Sequence, residues 1–168
     1  ENIPKTMHAV LLTGHGGLEK LEYKTDVKVP IPKDDEVLIK VSAAGINNTD
    51  INTRTAWYSK YKSNAGGSWS GAPLKFPRIQ GADVCGVIVS TGSKVNKSRI
   101  EERVIARTMQ TDPKNPQSPN MITLGSELNG AFAQYVTIRS SETFSVNCKW
   151  SDAELGSIPC SYSTAEGL

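Results

Sequence analysis

Six short apolar or β-branched runs, punctuated by glycine and proline, constrain this chain more than any other feature. They are Met7 to Leu12, Leu18 to Val27, Glu36 to Ala44, Val84 to Ser90, Arg103 to Arg107 and Gly130 to Ile138. Runs of this length bounded by turn residues suit strands and are too short for most helices. The first stops at Gly14-His15-Gly16-Gly17 and the fourth at Thr91-Gly92-Ser93. Between the second and third, Pro30 and Pro32 exclude a central strand, because proline donates no ladder hydrogen bond. Helix signals are few. Residues 48–55 suit a short helix capped by Asn48 or Thr49, and Ser151 with Glu154 forms a capping box that starts another. Ser63 to Pro73 is rich in Gly, Ser and Asn and reads as a mobile loop; Asp112 to Asn120, with Pro113, Pro116 and Pro119, is a second loop. No internal repeat has a fixed period. The pattern predicts a mainly β domain, barrel or sandwich, with minor helix.

A chain of 168 residues is long enough for one domain with a substantial core. Nineteen basic and seventeen acidic residues leave +2, too little charge to indicate nucleic acid. Lys60-Tyr61-Lys62, the nearest approach to a basic-aromatic patch, reads as solvated loop. No apolar stretch approaches the ~20 residues that span a bilayer, and residues 1–7 lack a signal-peptide pattern. Met7 is the expected natural start, with residues 1–6 an extension. Cysteines at 85, 148 and 160 fit neither a disulfide framework nor a zinc finger. Reduced thiols in a cytoplasmic protein are therefore expected. Cys85 sits in an apolar run and reads as packing. Cys160 has no neighbouring His or Lys to activate it.

Two segments carry a specific resemblance: Gly45-Ile46-Asn47-Asn48-Thr49-Asp50, and Phe76-Pro77-Arg78-Ile79-Gln80-Gly81-Ala82-Asp83-Val84-Cys85-Gly86. Together they resemble the catalytic domain of the medium-chain alcohol dehydrogenases and quinone reductases. Met7-His8-Ala9-Val10, Glu36 to Val41, Gly130 to Tyr135 and Ile158 to Ala165 resemble further landmarks of that family in the same order. The resemblance implies a GroES-like, partly open β-barrel over residues 1–168. It also implies a following Rossmann domain that binds NADP(H) or NAD(H), which this chain does not contain. No Gly-x-Gly-x-x-Gly opens a helix after a strand here, and Gly14-His15-Gly16-Gly17 reads as a turn. The chain is expected to be an isolated substrate domain that binds no cofactor alone.

In the zinc-dependent members the first segment supplies a Cys and the second a His and a Glu. Those positions here hold Asn47, Ala82 and Asp83, and residues 107–128, where a structural zinc would belong, contain no Cys. No zinc is expected. Without that Lewis acid, reduction of an activated acceptor such as a quinone or enone remains feasible. By resemblance, Asn47 faces nicotinamide and substrate, where an amide can donate to a developing oxyanion and accept from the cofactor amide. Holding the turn after the strand is the plainer reading. Thr49 takes the place of a proton-relay hydroxyl, or else caps the helix. Asp50 is expected to accept backbone or arginine hydrogen bonds near the substrate. Arg54 is expected to meet the cofactor or an acid. Tyr58 either lines the substrate pocket or is an exposed loop aromatic. Asp83 is expected to tie down Arg78 or Arg54.

The leading expectation is a zinc-independent NAD(P)H-dependent oxidoreductase of quinone-reductase type with a small-molecule substrate and no nucleic-acid or membrane partner. A homo-oligomer in the full-length protein is compatible with it. A zinc-type alcohol dehydrogenase relative with an altered metal site, and a stand-alone GroES-like binding module without catalysis, remain as alternatives.

Overall fold

A computed structural model of the chain describes residues 2–58, 68, 70, 73–117, 119 and 121–167. The expected loop at 63–73 lies largely outside the described residues, as does Lys60-Tyr61-Lys62. The fold is mainly β with few helices, and its sheets form an open arrangement that does not close into a barrel. β1 (Thr6–Leu12) lies between β2 (Leu21–Lys28) and a two-residue strand, β4 (Arg78–Ile79). A second sheet is built on β3 (Glu36–Ala43). β3 is flanked by β9 (Tyr135–Arg139) on one side and by β5 (Cys85–Thr91), β6 (Arg103–Ala106) and β10 (Thr143–Ser145) on the other. β7 (Met109–Thr111) and β8 (Met121–Thr123) make a separate hairpin across the proline-rich loop. Every strand pair is antiparallel.

β3 explains the continuous apolar run in its sequence. Val37 and Ile39 pack into one core cluster with Ile88, Val104, Val136 and Ile138. Leu38, on the opposite face, packs into another with Met7, Ala9, Ile79 and Tyr135. A strand buried on both faces needs apolar residues at consecutive positions. β2 is the opposite case: its side chains are mostly exposed, and it forms the edge beside β1.

Three expectations change. The run from Leu18 opens as a 3₁₀ turn, Leu18–Lys20, before β2 begins at Leu21. The run from Gly130 is not one strand. Gly130, Ala131 and Phe132 donate to the carbonyls of Ile79, Gly81 and Gln80, and Val10 donates to Phe132. At Gln134 the N–H still donates to His8 O while the carbonyl accepts from Val41 N, and from Tyr135 the chain pairs with β3 throughout. It thereby crosses from one sheet to the other. Finally, α1 (Asn48–Arg54) is capped by Asn47, not by Asn48 or Thr49. The Ser151–Glu154 capping box does start a helix, α2 (Asp152–Gly156). A further helix, α3 (Pro159–Glu166), begins with proline at its first turn, where a missing N–H costs nothing.

Candidate active site

The Gly45 turn leads from β3 into α1, and it is tight. Gly45 N donates to Gly156 O at 3.0 Å. A Cβ on Gly45 would stand 2.7 Å from that oxygen and 3.0 Å from Asp83 Oδ2. Only glycine lets the chain pass between α2 and Asp83. Two residues on, Asn47 N donates to Asp50 Oδ2 at 2.9 Å, while Asn47 Oδ1 accepts from Thr49 N at 3.2 Å. This reciprocal pair satisfies orphan donors at the helix start. It also decides which way the amide faces. The carbonyl must lie over α1, so the NH₂ group points the other way, and it donates to Ser161 Oγ at 3.3 Å. Asn47 therefore offers the cleft a donor, while its carbonyl is occupied by the helix.

Asp50 and Asp83 lie beneath this surface, both buried. Asp50 Oδ1 also accepts from Gly81 N at 3.2 Å, and its own carbonyl accepts from Gln80 Nε2 at 2.8 Å. Burial raises the Asp50 pKa above the ordinary carboxylate range, against the lowering effect of these backbone donors. Asp83 neither holds Arg78 nor Arg54. Its Oδ1 accepts from Cys160 N at 2.6 Å, satisfying an N–H at the start of α3 that the helix's own cap leaves without a side-chain partner. Burial, opposed by that hydrogen bond and reinforced by the Asp50 charge, raises Asp83 to about 6. The same surroundings, burial first and then Asp83 and Asp50, push the Cys160 thiol up to about 11.

The raised Asp83 value has a defined sign. Its folded pKa of about 6 exceeds the ordinary 3.8, so the native state holds this proton more tightly than the unfolded chain. Stability from this group is greatest at low pH and declines as pH rises from about 4 to about 6. Asp83→Asn keeps an oxygen for Cys160 N and removes the charge. Denaturant unfolding is expected to show the variant more stable than wild type by about 1–2 kcal/mol at pH 7.5, with the gap closing by pH 4.5.

Beside these carboxylates is a cavity of about 440 Å³, lined by Asn47, Asn48, Thr49, Asn52 and Tyr58 on one part and by Thr108, Met109, Thr123, Cys160, Ser163, Thr164 and Gly167 on the rest. Tyr58 OH donates to Thr49 Oγ1 at 3.0 Å and lies 3.5 Å from Asn52 Nδ2. Because Thr49 Oγ1 accepts from Tyr58, its own hydrogen is left to donate elsewhere. Asn47, Thr49 and Tyr58 are thus brought together on one cavity. Asp50 supports α1 from below. Arg54 is placed elsewhere: its Nη1 donates to Gly16 O at 2.8 Å and pins the Gly14–Gly17 turn. Arg78 donates to Asn129 Oδ1 at 3.0 Å. Thr108 and Thr123 were not legible as cavity residues, since both lie on the short β7–β8 hairpin or beside it and carry no local motif.

The donor set at the three zinc-ligand positions is an amide turned onto α1, the methyl of Ala82 and a carboxylate bonded to Cys160 N. That set does not fit a zinc ion. Among the described residues no group of three or more His, Cys, Asp or Glu could hold a metal, and no helix is long and apolar enough to cross a membrane.

A quinone-oxidoreductase homolog, chloroplastic, from Spinacia oleracea is 31% identical over 161 residues, covering 96% of this chain and 41% of that protein. An NADPH-dependent alkenal/one oxidoreductase, chloroplastic, from Arabidopsis thaliana is 34% identical over 116 residues, covering 69% of this chain and 27% of that protein. A solved structure from Sinorhizobium meliloti 1021 described as an alcohol dehydrogenase superposes with a TM-score of 0.87 at 39% identity, covering 99% of this chain and 47% of that one. The chain spans less than half the length of each. The profile of the alcohol dehydrogenase GroES-like domain matches residues 33–147. The chain belongs to that family, the N-terminal domain of the medium-chain dehydrogenases and reductases.

Proposed function

We propose that this chain is the substrate-binding and catalytic part of a zinc-independent, NAD(P)H-dependent reductase acting on quinones or α,β-unsaturated carbonyls. The observation that carries the reading is the hydrogen-bond order at the cavity: Tyr58 OH donates to Thr49 Oγ1, leaving the Thr49 hydrogen to donate beside the Asn47 NH₂. Both donors border the same cavity, where a carbonyl oxygen that gains charge could be bound.

A nicotinamide bound by a dinucleotide-binding domain would supply the hydride. Asn47, at the α1 start, and the α3 residues that line the same cavity would border it. Hydride addition to a conjugated acceptor moves an electron pair onto the carbonyl oxygen. Thr49 and Asn47 would stabilise that charge, and Thr49 would pass its proton to the oxygen while taking one from Tyr58, whose phenolate is then reprotonated from solvent. Oxidation of a simple alcohol makes a different demand, for a group that lowers the alcohol pKa, and the described residues lining the cavity include no Lys, Arg or His. The names of the spinach and Arabidopsis relatives point the same way; that of the Sinorhizobium structure points to alcohols.

The test is a chimera in which this chain replaces the matching segment of the spinach relative. With NADPH it is expected to reduce a quinone or an enone at least about tenfold faster than it oxidises a short alcohol with NADP⁺, and 1,10-phenanthroline should leave both rates unchanged. Preferential alcohol oxidation, or loss of activity to the chelator, would overturn the reading.

A further inference from the structure

The Tyr58 hydroxyl has one hydrogen to give and two lone pairs to offer. Its hydrogen goes to Thr49 Oγ1 at 3.0 Å, and Asn52 Nδ2 donates to the same phenol oxygen at 3.5 Å. Asn52 follows Thr49 by three residues on α1, so the two side chains are neighbours on the helix surface. Both line the cavity, as does Tyr58. At 3.5 Å the Asn52 bond is long and contributes little to stability. What it fixes is polarity. A donor set against the phenol oxygen leaves no acceptor there for the Tyr58 hydrogen, which therefore turns to Thr49. The Thr49 hydrogen is left to turn to the cavity.

An acceptor at position 52 would reverse the row. It would take the Tyr58 hydrogen, Thr49 would then donate to Tyr58, and no hydrogen would remain for a ligand oxygen. The same asymmetry holds during transfer. Once Tyr58 has given up its proton its oxygen is an anion, and only a donor is favourable against it.

We infer that Asn52 is a positioning residue for proton delivery, whose NH₂ group turns the Tyr58 hydroxyl toward Thr49 and steadies the phenolate that delivery leaves behind. This rests on the reductase reading above, in which Thr49 protonates the substrate oxygen. Hydride added to the β carbon of an enone sends an electron pair to the carbonyl oxygen. That oxygen takes the Thr49 proton, Thr49 takes the Tyr58 proton, and solvent reprotonates Tyr58, while the enol so formed tautomerises to the saturated ketone. Asn52 holds its protons throughout.

Asn52→Asp is nearly isosteric and changes the polarity alone; Asn52→Leu removes the donor. In the ligand-free chain with ¹³Cζ-labelled tyrosine, the Tyr58 resonance, assigned by its loss in Tyr58→Phe, is expected to move in Asn52→Asp. In the chimera described above, enone reduction by Asn52→Asp should have kcat lowered about a hundredfold, the low end of what a positioned proton donor contributes, with KM within about twofold of wild type. Asn52→Leu should lower kcat about tenfold. In a Tyr58→Phe background neither change should slow turnover further, because the group through which Asn52 acts is gone. An unmoved Tyr58 resonance, an unchanged kcat, or a full additional loss in the Tyr58→Phe background overturns the positioning role. Should Asn52→Asp fail to fold, Asn52→Leu decides by the same cycle. If Thr49→Val slows the chimera while the Asn52 changes do not, the reductase reading stands without Asn52; if the unmodified chimera reduces neither a quinone nor an enone, both fall.

Discussion

Asn47→Ser is expected to leave the domain as stable as wild type, within about 0.5 kcal/mol, while lowering kcat of the chimeric reductase about a hundredfold. The two effects separate because Asn47 performs two jobs with opposite ends of one amide. Its oxygen caps α1 by accepting from Thr49 N, and its NH₂ group faces Ser161 and the cleft. Serine is as good an N-cap as asparagine, but its single hydroxyl is engaged at the helix and is too short to reach where the amide nitrogen stood. Loss of one oxyanion donor costs about 2.7–4 kcal/mol of barrier in well-formed acyl-transfer sites, so a hundredfold is at the low end of that range. Asn47→Ala removes both ends and should add about 1 kcal/mol of destabilisation to a similar loss of rate. Unfolding curves and steady-state kinetics on the two variants decide the matter. Equal kcat in wild type and Asn47→Ser would confine Asn47 to its cap.

Gly81→Ala is expected to cost at least about 3 kcal/mol of stability, enough to remove a large part of what a domain of this size has. Two causes act together. Gly81 has φ +105, a backbone region that side chains rarely enter. A Cβ there would also meet Phe132 N at 2.7 Å and Ala131 N at 2.8 Å. Neither atom can retreat. Phe132 N and Ala131 N donate to the carbonyls of Gln80 and Gly81, the contact by which the 130–134 segment crosses between the sheets. Gly81 N in turn holds Asp50, so the damage should reach α1. Urea unfolding measures the first effect. Loss of ligand-induced shifts at Thr49 measures the second.

The strands were largely legible because each had enough length for its pattern to show. β3 and β5 announced themselves through continuous apolar runs, which burial on two faces demands. The two-residue β4 and three-residue β7, β8 and β10 are below the length at which alternation can be seen, and they exist through tertiary pairing alone. The Gly130 run misled for a related reason. Its alternation is real, but the segment divides its hydrogen bonds between two sheets, and periodicity does not say which partner each residue meets. At the site, Asn47, Thr49 and Tyr58 were legible because they lie within one short stretch and its following turn. Asp83 was assigned an arginine on charge alone. The structure gives it a backbone N–H seventy-seven residues away, a pairing set by where α3 starts.

The pairing of Asp83 with the start of α3 bears on chemical durability. Conjugated carbonyls are soft electrophiles, and a cysteine wall is an ill-suited container for them, since the thiolate adds readily to such acceptors. Cys160 lines the cavity, yet with its pKa pushed up to about 11 only about one molecule in 10⁴ carries the thiolate at pH 7. Burial, reinforced by the carboxylate of Asp83 that caps the start of α3 and by Asp50, therefore also passivates the thiol on the cavity wall, so that under the reductase reading a Michael acceptor would meet a poor nucleophile there.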